Sequence, residues 1–301
     1  MSIVKCDYYD KLKNPMTSLG DLNVRRIDLA LALLILHGQI GTLNTIRLFA
    51  SYLLVVFSDF SFKGGDLKFI ANLSSCYDGL KRQKSEIYAA MMTVIVAFNK
   101  YNQDNVYPYD AVVLNSGKST RPDFVGKKGN TFSLFEAKGS IGKVSPDKIK
   151  KSIVQVSAIP NLNLIGIGNT TISNRYSVIC NLNHNSGNNI DLRIYDPDNS
   201  DDVYIEYNLE QVEQLFYDYV VDLIRSGDGV REYMFEGRII KGTEINVGEK
   251  DKLILGIVEE KYPLIHSECE IRKSNLKNLN LLQNKEEKLM SDGIYICLTN
   301  N

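Results

Sequence analysis

The chain has 301 residues, 35 basic and 36 acidic side chains, a formal net charge of −1, and a composition that is 44% hydrophobic and 24% charged. This is an ordinary globular balance, which excludes disorder and collagen-like repeats. It also excludes any argument from whole-chain electrostatics for nucleic acid or membrane, so a charged partner has to be met by a local patch.

In chain order, residues from Asn23 to about Asn102 carry a helical pattern. Val24 to His37 reads as an apolar helix stopped by Gly38, and Gly41 to Phe57 as a second. Their most apolar stretches, Leu29 to Leu36 and Leu48 to Phe57, fall short of the ~18 residues a spanning helix needs, so they are expected in a core and not in a membrane. Ser85 to Tyr101 is a third helix, with Ser85 as N-cap and an apolar stripe through Ile87, Met91, Val94, Ile95 and Phe98. From Tyr107 the pattern turns to short apolar runs bounded by Gly, Pro, Asn and Asp, which predicts strands at Ala111–Leu114, Asp123–Val125 and Thr131–Lys138. Ser145-Pro146-Asp147 opens a helix through Ile159, closed by Pro160. Strands follow at Leu162–Gly168, Tyr176–Asn181 and Asp191–Tyr195, and then an amphipathic helix from Asn208 to Arg225 with a capping box of Asn208 and Gln211. A last strand is expected at Leu253–Val258. The order gives an α/β or α+β core preceded by an N-terminal helical portion. The expected division is a helical region over 1–84, a core over 85–228, and a C-terminal region over 229–301 whose pattern defines no fold.

Five scattered cysteines, Cys6, Cys76, Cys180, Cys269 and Cys297, contain no CxxC pair and do not form a disulfide framework. With no basic-then-apolar leader at the start, a reducing cytoplasm is the expected location.

The chemistry concentrates between Gly117 and Pro160. Pro122-Asp123 opens one strand and Glu136-Ala137-Lys138 closes the next, across a turn containing Gly126, Lys127, Lys128, Gly129 and Asn130. Period-two alternation puts Glu136 and Lys138 on one face, and hairpin pairing brings Asp123 toward Glu136. Two carboxylates so placed coordinate a hard divalent cation, and a lysine beside them orients water or stabilises charge on a phosphoryl group in transit. A second match to the loose pattern of acid, short gap and acid-x-lysine occurs at Asp251 with Glu259-Glu260-Lys261, but it lacks the proline, has its aspartate in the Gly248 to Lys252 turn and is followed by Tyr262-Pro263 instead of a helix.

The segment resembles the PD-(D/E)xK nuclease superfamily, of restriction-endonuclease-like fold, over about Ser85 to Gly168. The resemblance implies metal ligation by Asp123, Glu136 and the carbonyl of Ala137, with Lys138 as catalytic lysine and Mg²⁺ or Mn²⁺ as cofactor. It implies an added acid from the preceding helix, for which Glu86 is the candidate, and a glutamine on the following helix, for which Gln155 is the candidate. The implied activity is hydrolysis of DNA phosphodiesters by an endonuclease of restriction, defence or mobile-element biology. By analogy, a single site per chain calls for a homodimer in double-strand cutting, and the region after 229 is where specificity or protein-partner contacts are expected.

Local charge agrees with a nucleic-acid partner. Between Lys118 and Lys151 there are nine basic residues against three acidic ones, a local net of +6. Of these, Lys118, Arg121, Lys127, Lys128, Lys143, Lys150 and Lys151 are the expected phosphate contacts. The alternative is a nucleic-acid- or partner-binding protein on the same fold whose catalysis is lost or dormant. Gly117-Lys118-Ser119 lacks the leading glycine of a phosphate-binding loop, because position 112 is Val112.

Overall fold

The computed structural model describes residues 2–9, 15–40, 46–62, 65–71, 76–113, 121–142, 144–159, 161–164, 168–182, 190–197, 220–227, 229–247, 251–261, 277–278, 285–289 and 293–300. In chain order the elements are β1 (Ser2–Tyr9), β2 (Pro15–Val24), α1 (Arg26–Ile40), α2 (Ile46–Asp59), β3 (Phe60–Ser61), β4 (Lys68–Phe69), α3 (Asp78–Asn99), β5 (Asn105–Pro108), α4 (Tyr109–Val112), β6 (Phe124–Lys128) and β7 (Thr131–Ile141). They continue as α5 (Pro146–Ser157), β8 (Asn161–Leu164), β9 (Gly168–Thr171), β10 (Asn174–Leu182), β11 (Ile190–Tyr195), β12 (Arg231–Phe235), β13 (Arg238–Asn246), β14 (Asp251–Val258), β15 (Lys277–Asn278), β16 (Lys285–Leu289) and β17 (Ile294–Asn300). The class is mixed α and β. The chain groups into two compact units, Met1–Arg25 with Ser58–Glu213, and Arg26–Phe57 with Gln214–Asn301. No helix among the described residues is long and apolar enough to cross a membrane.

The first unit is built on a seven-stranded sheet ordered β2-β1-β11-β10-β7-β6-β5. It is mixed: β1 runs parallel to β11 and β10 parallel to β7, while the other pairs are antiparallel. Its two faces are covered by different helices. On one face Gly139 of β7 lies so close to α3 that a Cβ there would sit 1.9 Å from the Ser85 carbonyl oxygen. Tyr101, just past α3, stacks on Tyr176 at 3.8 Å between ring centroids. On the other face the Ser152 hydroxyl of α5 hydrogen-bonds that of Ser177, the cross-strand neighbour of Glu136. Ile149 of α5 packs there with Ile179 and Tyr195.

Several local expectations are corrected. Ser2–Tyr9 and Pro15–Val24, placed in a helical region by sequence, are two strands of this sheet. Helix α3 begins at Asp78, so Ser85 is not its N-cap: it is buried in the second turn, where its hydroxyl donates to the Arg82 carbonyl at 2.8 Å. The first two turns of α3 are largely polar and solvent-facing, and an apolar period starts only where the helix meets the sheet. Of the strand expected over Ala111–Leu114, Ala111 and Val112 are instead in the helical turn Tyr109–Val112 that follows Pro108, and Leu114 lies outside the described residues. Of the strand expected over Leu162–Gly168, Leu162 to Leu164 lie in β8 and Gly168 starts β9, which pairs antiparallel with β8, while 165–167 lie outside the described residues. Of the Asn208–Arg225 helix only 220–225 lies within the described residues, where it is helical.

The second unit holds a six-stranded sheet ordered β15-β12-β13-β14-β17-β16, antiparallel except for β12 with β15. Helix α1 is apolar all round, buried from Ile27 to His37, and continues past Gly38 to Ile40. The Glu286 carboxylate caps its N-terminus, accepting from the Ile27 amide at 3.0 Å. Lys241 is fully buried, 3.1 Å from Glu259 and 3.7 Å from Glu232. The second sequence match is thereby dispersed. Asp251 starts β14 and Glu259 follows its end, roughly 27 Å apart for eight strand residues. Asp251 faces Arg26 at 3.6 Å.

Candidate active site

The site is created by a difference in strand length. Strand β6 begins at Phe124 opposite Phe135, whereas β7 continues for six more residues with β10 on one side only. Asp123, just before β6, occupies the uncovered edge. Its amide donates to the Phe135 carbonyl at 3.1 Å, and its Oδ2 accepts from the Ala137 amide at 2.8 Å. Since a strand residue projects its N–H and C=O to the same side, the Ala137 carbonyl lies along that edge too. Glu136 and Lys138 alternate to one face, and the Lys138 ammonium donates to Glu136 Oε1. Glu136 is completely buried, and its Oε2 has no hydrogen-bond partner.

The electrostatics follow from this placement. Burial, reinforced by the negative charge of Asp123 and opposed by Lys138, pushes the Glu136 carboxyl up to about 8. Burial also raises Asp123, against the lowering effect of the Ala137 N–H and of Lys138. Two carboxyls held together out of water favour sharing a proton or a cation over ionising together.

A cleft of about 410 Å³ opens beside the pair, between α3 and α5, with Lys138 and Gly139 in its floor. Arg82, Ser85 and Glu86 line it from α3. From α5 and its cap, Ser145, Asp147, Lys148, Lys151 and Gln155 line it. Lys148, Lys151 and Gln155 recur at i, i+3 and i+7, which is one helix face. The α5 start is fixed by Ser145, whose hydroxyl accepts from the Lys148 amide at 3.3 Å, and by Pro146 in the first turn. The Lys148 ammonium reaches back to the Gly139 carbonyl at 2.6 Å, and burial lowers its pKa.

The structure thus brings Asp123, Glu136, Ala137 and Lys138 together, and sets Glu86 and Gln155 in the adjoining cleft. Glu86 does not join the carboxylate pair: it is exposed and paired with Arg82 at 2.9 Å. The Gln155 amide donates to the Arg121 carbonyl at 3.4 Å. Among the expected phosphate contacts, Lys151 lines the cleft and Lys150 does not. Arg121 pairs with Asp110 at 2.9 Å. Lys127 and Lys128 sit at the turn end of the hairpin, and Asp123 and Glu136 at its open end. Lys118 and Lys143 lie outside the described residues. Sequence reasoning missed Arg82 as a lining residue and did not assign Lys148, although the i, i+3 spacing of Lys148 with Lys151 was a usable signal.

As a donor set, two carboxylates and a backbone carbonyl are all oxygen, and the buried Glu136 Oε2 is left for a ligand. They fit a hard cation such as Mg²⁺, which is typically held by one or two protein carboxylates with waters and substrate phosphate completing its shell. Among the described residues, no group of three or more His, Cys, Asp or Glu side chains converges on such a position. Compared with protein-family models, curated proteins and solved structures, the chain matches none.

Proposed function

We propose that the chain is a metal-dependent nuclease of restriction-endonuclease-like fold that hydrolyses DNA phosphodiester bonds. The observation that carries this reading is the juxtaposition of Asp123 and buried Glu136 at an uncovered strand edge, with Lys138 on Glu136 and one Glu136 oxygen unpartnered. The succession α3, β5, β6, β7, α5, β10 around a mixed sheet supports the fold reading, because it places the carboxylates between two covering helices.

Asp123, Glu136 and the Ala137 carbonyl would hold Mg²⁺ or Mn²⁺, which when bound polarises a phosphoryl oxygen and lowers the pKa of a water. The Asp123 carboxylate is held in place by the Ala137 amide. Lys138 keeps its ammonium at the cleft floor, where it offsets charge on a phosphate oxygen. Glu136 would hold the cation as a carboxylate, its proton passing to solvent. The basic cleft receives the nucleic-acid backbone.

The test is incubation of the purified chain with supercoiled and linear DNA in Mg²⁺, Mn²⁺ or chelator, beside Asp123→Ala and Glu136→Ala. Metal-dependent cutting lost in both variants, with unchanged circular dichroism, is the expected result, and cutting retained in both removes the assignment. The alternative, a dormant nucleic-acid-binding protein, draws on Glu86, whose pairing with Arg82 leaves only two acids at the pair. Salt-sensitive binding without cleavage in any metal selects it.

A further inference from the structure

The cleft between α3 and α5 has a composition that bears on what the protein reads. Its described lining carries four cations, Arg82, Lys138, Lys148 and Lys151, against the two acids Glu86 and Asp147. Among the described lining residues there is no aromatic or large aliphatic side chain on which a base would stack. The amide that could pair with a base edge, Gln155, is turned to the Arg121 carbonyl. What remains are cations on α3, β7 and α5 and the amino end of a twelve-residue helix, groups that suit phosphate oxygens.

We propose that this cleft is a sequence-independent backbone subsite, in which Arg82, Lys148 and Lys151 grip phosphates flanking the bond to be cut, so that the enzyme selects a strand without reading its bases there. The proposal deepens the nuclease reading and rests on it for the position of the cut. Lys138 stays with Glu136, whereas Lys151 and Arg82 stand in the mouth of the cleft, Arg82 with a side chain 81% exposed. Lys148 bridges the two regions, since its ammonium already touches the residue after Lys138.

The experiment measures DNA binding in chelator, where no cutting occurs, as a function of salt. It uses two duplexes of unrelated sequence, with the wild type, Arg82→Gln, Lys151→Gln, Lys148→Gln/Lys151→Gln, and Lys68→Gln as a control. Each lost phosphate contact lowers the slope of log K against log salt by about 0.9 on duplex DNA. The double variant is expected to lose about 2 from the slope and Arg82→Gln about 1, equally on both duplexes, while Lys68→Gln keeps the wild-type slope. Because Lys148→Gln also removes the bond to Gly139, Lys151→Gln alone is the arm that keeps the fold, with an expected loss of about 1. Unchanged slopes, or wild-type affinities differing more than about a hundredfold between the duplexes, overturn the subsite. Metal-dependent cleavage by the wild type is scored separately. Cutting with unchanged slopes removes only the subsite, and slopes that fall without any cutting remove only the nuclease reading.

Discussion

Glu136 is the residue whose environment is most unusual. In the unfolded chain its carboxyl titrates near the ordinary 4.5, and burial beside Asp123 moves it to about 8 in the fold. The folded protein therefore holds a proton between those values that the unfolded chain has released. That contribution to stability is present below about 4.5 and is lost as pH rises through 8. Metal-free wild type is expected to melt at a lower temperature at pH 8.5 than at pH 5.5. Glu136→Gln, neutral at every pH, flattens that difference, raises the melting temperature at pH 8.5 and abolishes cleavage; thermal melts in chelator with a parallel cleavage assay check all three. Loading a cation displaces the same proton, so Mg²⁺ affinity is expected to rise about tenfold per pH unit up to about pH 8. Isothermal titration at pH 6, 7 and 8 in buffers of different ionisation heat measures the affinity and the proton released. A pH-independent affinity would mean that Glu136 is not a ligand.

Among the elements, β7 sets the site. Its alternation carries Glu136 and Lys138 to the α5 face, while Gly139 admits α3 on the other. A methyl group at 139 would lie 1.9 Å from the Ser85 carbonyl oxygen and 2.8 Å from the Glu86 amide, a clash with backbone that no side-chain rotation relieves. Gly139→Ala is expected to cost about 3 kcal/mol in denaturant unfolding. It should also displace Arg82 and Glu86 from the cleft, lowering kcat beyond the loss of folded protein. The hairpin turn was legible because Gly129, at φ +54°, is a glycine where a side chain would be strained. That the hairpin brings Asp123 toward Glu136 was legible, but its register was not: the expected turn took in Gly126, Lys127 and Lys128, which belong to β6, and only Gly129 and Asn130 turn. Which end of the hairpin is functional was not legible, because lysines occur at both and only the truncation of β6 distinguishes them.

At the scale of the whole molecule, the chain forms two units, each with its own sheet, and the Asp123–Glu136 pair and its cleft belong to the first. In the second, Lys241 is buried against Glu232 and Glu259. Lys241→Ala leaves those carboxylates without that partner and opens a cavity, at an expected cost of about 3 kcal/mol in urea unfolding. The cleavage rate per folded molecule should be unchanged, since no residue assigned to the chemistry lies in that unit; a fall in kcat at full folding would place part of the active centre there.

By itself the sequence determined the mixed α and β class, the hairpin with its two acids and lysine, the capped helix after it and the concentration of positive charge, all of which depend on local periodicity and turn chemistry. Only the tertiary structure decided that Ser2–Tyr9 and Pro15–Val24 are sheet strands, that α3 begins a turn and more before its apolar stripe, and that Asp251 and Glu259 stand at opposite ends of a strand. Only it moved Glu86 to Arg82 and brought Arg82, Lys148 and Lys151 into one cleft. The physical reason is that burial, an uncovered strand edge and the approach of two helices depend on contacts between segments distant in the chain, which no local pattern encodes.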